Sequence, residues 1–217
     1  MLDYHLHLWA HGQRAEAPGV EQLAAYCEQA ASRGVTEIAV TEHLFRFRQA
    51  AAALGGFWDD DPDPRLRRAM AAYWDEHARA DLDAYVDVVE RAKAEGLPVV
   101  LGLEVDHYAG RMERVAGLLR EYPFDVVLGS VHWLGAWGFD DYENPVVAAE
   151  WDVRTTEEVW SSYADAVEEL AASRVCDVLA HPDLCKVTGR FPAVPAEHYE
   201  RMAEAAASSG MAAEVSS

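Results

Sequence analysis

Six short apolar stretches alternate with segments of helical periodicity along this chain, and that alternation confines the fold to an α/β architecture. The stretch Leu2–Leu8 is followed by Val20–Arg33, with apolar residues at helical spacing, then by Gly34 and the β-branched run Val35–Thr41. The periodicity predicts a helix over Asp75–Glu95, a strand over Pro98–Glu104, a helix over Arg111–Glu121 and a strand over Phe124–Val131. A helix over Thr155–Ser173, a strand over Cys176–Ala180, a helix over Ala196–Ser209 and a strand over Met211–Val215 complete the series. Ser32-Arg33-Gly34, Ala94-Glu95-Gly96 and Ser208-Ser209-Gly210 each put glycine between helix and strand, as a helix C-terminus prefers. The strands are near-continuous apolar runs, which suits a parallel sheet buried on both faces, in a barrel or a doubly wound sheet. No GxGxxG or GxxxxGK-S/T follows the first strand, so a nucleotide-binding loop is not supported. Two stretches interrupt the pattern. Gln49–Arg68 holds Gly55-Gly56 and the acidic run Asp59–Pro64, and Gly135–Val153 is rich in aromatics and acids. Insertions of this kind are expected over the C-terminal face of a barrel.

The chemistry lies in what ends each strand. The first ends in His5 and His7, the second in Thr41-Glu42-His43, the third in Glu104 followed by Asp106. The fourth ends in His132, and the fifth in His181 followed by Asp183. Five consecutive strands thus deliver His or Glu to one edge, which in a barrel is the catalytic mouth. His5 and His7 are two apart, so on an extended chain both imidazoles point the same way and can hold one ion. Asp3 shares that face in the same reading and could orient a ligand by accepting its second N–H. Imidazole and carboxylate without thiolate suit Zn, Mn or Fe and disfavour Mg or Ca cages. Glu104, central in the strand order, is the natural bridge between two ions. His11 lies close enough behind the first pair to reach the site from the loop. His77, His107 and His198 are expected to be surface or packing residues.

Composition narrows the partners. A net charge of −20 argues against nucleic-acid binding through a basic surface. An acidic chain that handles an anionic substrate needs a local positive centre, which divalent cations would supply. No run of 18 apolar residues is present, so no membrane span is expected. The start of the chain carries ligand-type side chains where a signal peptide would need a basic start and an apolar core. Cys27, Cys176 and Cys185 form no CxxC pair and read as buried free thiols, suited to a reducing cytoplasm. A length of 217 residues fits one domain, 1–217.

The ordered set Asp-x-His-x-His, Thr-Glu-His, Gly-Leu-Glu-Val-Asp, Gly-Ser-Val-His and Ala-His-Pro-Asp-Leu resembles the polymerase and histidinol phosphatase (PHP) family. Gly129-Ser130-Val131-His132-Trp133, continued by Gly138-Phe139-Asp140, and His181-Pro182-Asp183-Leu184 followed by Lys186, resemble its histidinol-phosphatase branch. The resemblance covers essentially the whole chain. It implies a distorted (β/α)7 barrel with two or three divalent ions. His5, His7 and Glu104 would hold the first ion; Glu104, His132 and His181 the second; His11 and His43 would contribute to a third. The family pattern continues past the strand matching Met211–Val215 into a last unit bearing Asp-x-His. No such motif follows Glu214-Val215-Ser216-Ser217 here. The expectation is therefore a barrel lacking its last βα unit and a first ion one carboxylate short, from a truncated chain rather than a lost centre.

The implied reaction is hydrolysis of a phosphate monoester, L-histidinol phosphate first, in histidine biosynthesis. Metals would lower the pKa of a water toward ~7 and clamp phosphoryl oxygens. Glu104 would act at the reacting centre, with Asp183 or Glu42 positioning the water or tuning a ligand. Arg46, Arg48 and Lys186 sit at the right edge to meet phosphate. Trp133, Trp137 and Phe139 either wall the substrate or pack the second insertion. A nucleotide or another small phosphate monoester is the alternative substrate, and a degenerate, non-catalytic metal-binding domain is the alternative of another class. The partner is a small phosphorylated molecule; oligomeric state stays open.

Overall fold

The computed structural model describes residues 2–10 and 19–215. Six parallel strands run in sequence order: β1 (Leu2–Leu6), β2 (Glu37–Val40), β3 (Val99–Asp106), β4 (Val126–Ser130), β5 (Val178–Leu179) and β6 (Ala212–Ala213). The sheet curls into a half-barrel, so that side chains from its two outermost strands meet at the C-terminal mouth, His5 against Glu214. Eight α-helices are present among the described residues: α1 (Val20–Ala31), α2 (Arg48–Leu54), α3 (Pro64–His77), α4 (Leu82–Ala94), α5 (Met112–Leu119), α6 (Pro145–Glu150), α7 (Thr156–Ser173) and α8 (Pro195–Ser209). None is long and apolar enough to cross a membrane.

Strand alternation builds two apolar layers. Ile38, Val40, Leu101, Leu103, Val105, Val127 and Leu179 face outward into the main core, beneath the helices. Ala39, Val126, Leu128 and Ala180 form a smaller cluster on the other face, with Tyr4, Val100 and Val178 against it. Burying side chains of the outward set contributes about 1.5–3 kcal/mol each, which is why these positions read as continuous apolar runs. The expected glycine stops hold: Gly34, Gly96 and Gly210 have φ of 79°, 87° and 81°, a region that costs other residues strain. Thr155 and Glu158 close a reciprocal capping box on α7.

Several segments depart from the sequence reading. The helix expected over Asp75–Glu95 is broken into α3 and α4. Ala80 is pulled into extended pairing, donating its N–H to Arg46 O and accepting from Arg48 N, and Asp81 then caps α4 by accepting from Asp83 N. The insertion at Gln49–Arg68 is helical in large part, forming most of α2 and the start of α3, with Asp63 capping and Pro64 opening the latter. The second insertion contains α6. The two insertions pack on each other: Asp61 accepts from Ala136 N at 2.9 Å, and Arg65 approaches Glu150 at 3.7 Å. Every strand but β3 is shorter than the apolar run that announced it, β5 and β6 most of all. A register shift between Asp3 and Leu6 marks an irregularity in β1, the kind of local defect that re-aims side chains.

Candidate metal centre

The C-terminal ends of the strands converge on Glu104, whose side chain is 0% exposed. His5 Nε2 and His7 Nε2 each lie 3.2 Å from its Oε2, and His43 Nδ1 lies 3.0 Å from the same oxygen. His181 Nε2 is 2.8 Å and His132 Nε2 3.6 Å from Oε1. Five imidazoles from β1, β2, β4 and β5 or the residues just past them thus surround one carboxylate from β3. His11 lies outside the described residues. His77, His107 and His198 do not join the cluster. His77 bonds the Tyr73 carbonyl at 2.7 Å, while His107 and His198 are buried beside Glu169 and Glu157.

Outer carboxylates hold the ligand-type rings. Asp106 Oδ1 lies 2.6 Å from His132 Nδ1, which turns the Nε2 of that ring toward Glu104. Glu214 Oε2 lies 3.0 Å from His5 Nδ1. Asp3 does not take that role: it is exposed, and among the described residues its carboxylate reaches only the backbone N–H of His5, at 3.4 Å. The register shift in β1 breaks the simple alternation from which a shared face was expected. Glu42 accepts from the N–H groups of Leu8 and Trp9, and its other oxygen stands 3.8 Å from His7 Nδ1.

The cations are distributed unevenly. Arg46 is buried; its guanidinium donates to Trp9 O at 3.1 Å and lies 3.5 Å from Glu42, so it braces the loop after β1 instead of lining the mouth. Arg48 pairs with Asp81 at 2.7 Å. Lys186 is 49% exposed and paired with Asp183, one short turn past His181. Trp133, Trp137 and Phe139 are all buried. Trp137 and Phe139 pack with Trp151, whereas Trp133 lies beside His132 and Phe45. Cys27, Cys176 and Cys185 are buried free thiols.

Burial and charge compete throughout this cluster. Burial resists charge on Glu104, but the surrounding imidazoles, His43 and His181 foremost, hold its carboxyl well below the usual range. Burial also opposes protonation of His5 and His132. Glu104 and then Glu214 nevertheless raise His5 to about 9, and Asp106 and then Glu104 raise His132 to about 10. In His43 burial prevails over Glu104 and lowers it to about 3.

The donor set fits divalent cations. Ligand-type atoms of His5, Glu104 and His181 lie within 4.8 Å of one another, as do those of His7, His43 and Glu104. Glu104 belongs to both groups, although the histidines are partitioned differently from the family pattern. Among the described residues, Nδ1 of His7 and Nδ1 of His181 are buried without a hydrogen-bond partner, which leaves both rings free of a competing claim on that nitrogen.

A pH signature follows for the metal-free protein. His5 and His132 bind protons more tightly folded than unfolded. Their stabilisation is therefore full below their ordinary value of 6.5 and is lost as pH rises through about 9 and about 10. His43 is held neutral, so it costs stability as pH falls from 6.5 toward about 3. The histidine contribution peaks near 6.5. Ligation requires unprotonated imidazole, so a divalent ion binding here would displace these protons. Zinc titration calorimetry at pH 7 in buffers of different ionisation enthalpy should record net proton release, and none would contradict the assignment of charge.

The chain is 30% identical over 195 residues to a probable histidinol-phosphatase of Deinococcus radiodurans, covering 90% of this chain and 65% of that protein. Its fold is similar to the crystal structure of a histidinol phosphate phosphatase from Lactococcus lactis complexed with zinc, L-histidinol and phosphate. That match has a TM-score of 0.64 and 20% identity, over 99% of this chain and 72% of the other. A PHP domain family model runs from residue 4 to residue 217, across every strand end that feeds the Glu104 cluster, and the chain therefore belongs to the PHP family.

Proposed function

We propose that this chain is a metal-dependent phosphoric monoester hydrolase of the histidinol-phosphatase branch, acting on L-histidinol phosphate. The observation that carries the reading is Glu104, fully buried and met by five imidazoles at the barrel mouth. His5, His7, His43, His132, His181 and Glu104 would hold two or three divalent ions, zinc first, with manganese or iron suited to the same donors. His11, outside the described residues, is proposed to join them. Ions bound there would lower the pKa of a water and stabilise charge on the transferring phosphoryl group.

The chain's own residues do the positioning. Asp106 fixes the tautomer and angle of His132. Glu42 stands behind His7 and, with Arg46, nails down the loop at Leu8 and Trp9 that borders the mouth. Lys186, kept at the edge by Asp183, offers an ammonium to phosphate without being buried in the ion cluster. Three free thiols suit a cytoplasmic setting.

The test is phosphate release from the zinc- or manganese-loaded protein with histidinol phosphate, a nucleoside monophosphate and p-nitrophenyl phosphate as substrates. Release that is abolished by chelation, with kcat/KM highest for histidinol phosphate, is the expected result. A preference for the nucleotide would move the substrate assignment. Two bound ions with no release from any ester would identify a non-catalytic metal-binding domain instead.

A further inference from the structure

Glu214 stands where the two ends of the sheet meet. It follows β6, the last strand in the sheet order, yet its side chain contacts His5 in β1, the first. One oxygen, Oε2, serves both of its neighbours: it lies 3.0 Å from His5 Nδ1 and accepts the backbone N–H of His181 at 2.9 Å. His5 and His181 are the two histidines of the group they form with Glu104. The side chain is 23% exposed, so it works partly sheltered from water.

The backbone of His181 supplies a second, independent observation. Its φ is +27°, a left-handed value uncommon for residues other than glycine. Such a conformation persists where its surroundings over-determine it, and these sites cluster where function needs a side chain aimed. Here the constraint is visible. The His181 carbonyl accepts from Tyr163 Oη at 3.2 Å and from Leu184 N at 3.0 Å, and its N–H is held by Glu214. Glu214 is itself seated by its N–H donating to Leu179 O at 2.9 Å.

We infer that Glu214 is a positioning residue that clamps His5 and His181 as a pair. By taking the Nδ1–H of His5 it fixes the tautomer that leaves Nε2 as the donor facing Glu104. By taking the His181 N–H it holds the strained turn that brings Nε2 of that ring to the same carboxylate. Glu214 is not itself a member of the ligand-type group; it sits behind both rings and acts through them. The inference deepens the metal-centre reading and rests on it.

The experiment measures zinc affinity by competition with a chromophoric chelator in the wild type, Glu214→Ala and Glu214→Gln. Far-UV circular dichroism and metal-free melting serve as controls for folding. Glu214→Ala should weaken one zinc site about 10–100-fold, the usual cost of losing an outer partner of a ligand. Glu214→Gln keeps an oxygen for both N–H groups and should lose less than about tenfold on the same scale. Long-range proton–nitrogen NMR of the zinc-loaded wild type should show His5 protonated at Nδ1, a readout that holds even if a variant folds poorly. Glu214→Ala binding zinc within twofold of wild type, Glu214→Gln losing as much as Glu214→Ala, or an Nε2-protonated His5 would each overturn the clamp. A wild-type protein that binds no zinc would instead sink the metal-centre reading, and the clamp with it.

Discussion

Glu104→Gln should leave the fold standing and abolish the metal-dependent hydrolysis proposed for this chain. The side chain is isosteric, and the backbone at this position is held independently, through the N–H of Glu104 to Glu42 O at 2.9 Å and the β3–β4 register opposite Leu128. What is lost is the charge that belongs to both ligand-type groups. A neutral amide would hold divalent ions shared by those groups far less tightly than a carboxylate would, so the loss should exceed the roughly 10–100-fold typical of an outer partner. Stability gives a second readout. A ligand at 100 times its Kd adds about 2.7 kcal/mol, which at about 2–4 °C per kcal/mol for a chain of this size is a rise of about 5–11 °C. Wild type should show that rise when zinc is added, and Glu104→Gln should show little of it. Turnover retained in Glu104→Gln at a wild-type level would remove this carboxylate from the reacting centre.

Trp137→Ala will act on stability and leave substrate recognition largely unchanged. From sequence, Trp137 either walls a substrate or packs the second insertion. The structure decides for packing: the ring is 0% exposed, meets Trp151 edge-on at 4.9 Å and carries the Arg154 guanidinium 4.6 Å from its centroid. Its indole N–H donates to Val147 O at 3.1 Å. Truncating a buried tryptophan costs about 3–5 kcal/mol, or about 6–20 °C in melting temperature at this chain length. Thermal and urea unfolding of the variant measure this directly. A KM raised tenfold with an unchanged melting temperature would restore the substrate-wall reading.

The ligand-type series was legible because it obeys a local rule. Successive strand ends carry His5, His7, His43, Glu104, His132 and His181, and a parallel sheet sends all those ends to one edge. The same rule reaches Asp106, two residues beyond Glu104 on one strand and so on the same face, and Glu214, which follows the last strand. The sequence names Asp106 at a strand end without a role and gives the outer-partner role to Asp3, because which carboxylate reaches which ring depends on register and curl that no local pattern carries. Arg46 was read as a phosphate partner from its place in the chain, but a position three residues past His43 does not tell whether the side chain turns outward or inward. The break between α3 and α4 escaped because helical periodicity continues across Ala78–Asp81, while the bridge that opens it comes from Phe47, far back in the chain.

The sequence by itself determined the α/β class, the succession of strands and helices along the chain, and the imidazole-carboxylate chemistry at the strand ends. Each follows from short-range periodicity and from the direction in which parallel strands point. The tertiary structure alone decided which carboxylate faces which ring. His5 and Glu214 are 209 positions apart, and no local period links residues so distant. Their contact exists because the sheet curls far enough to bring the residue after its last strand within side-chain reach of its first, and that curl is set by packing over the whole core.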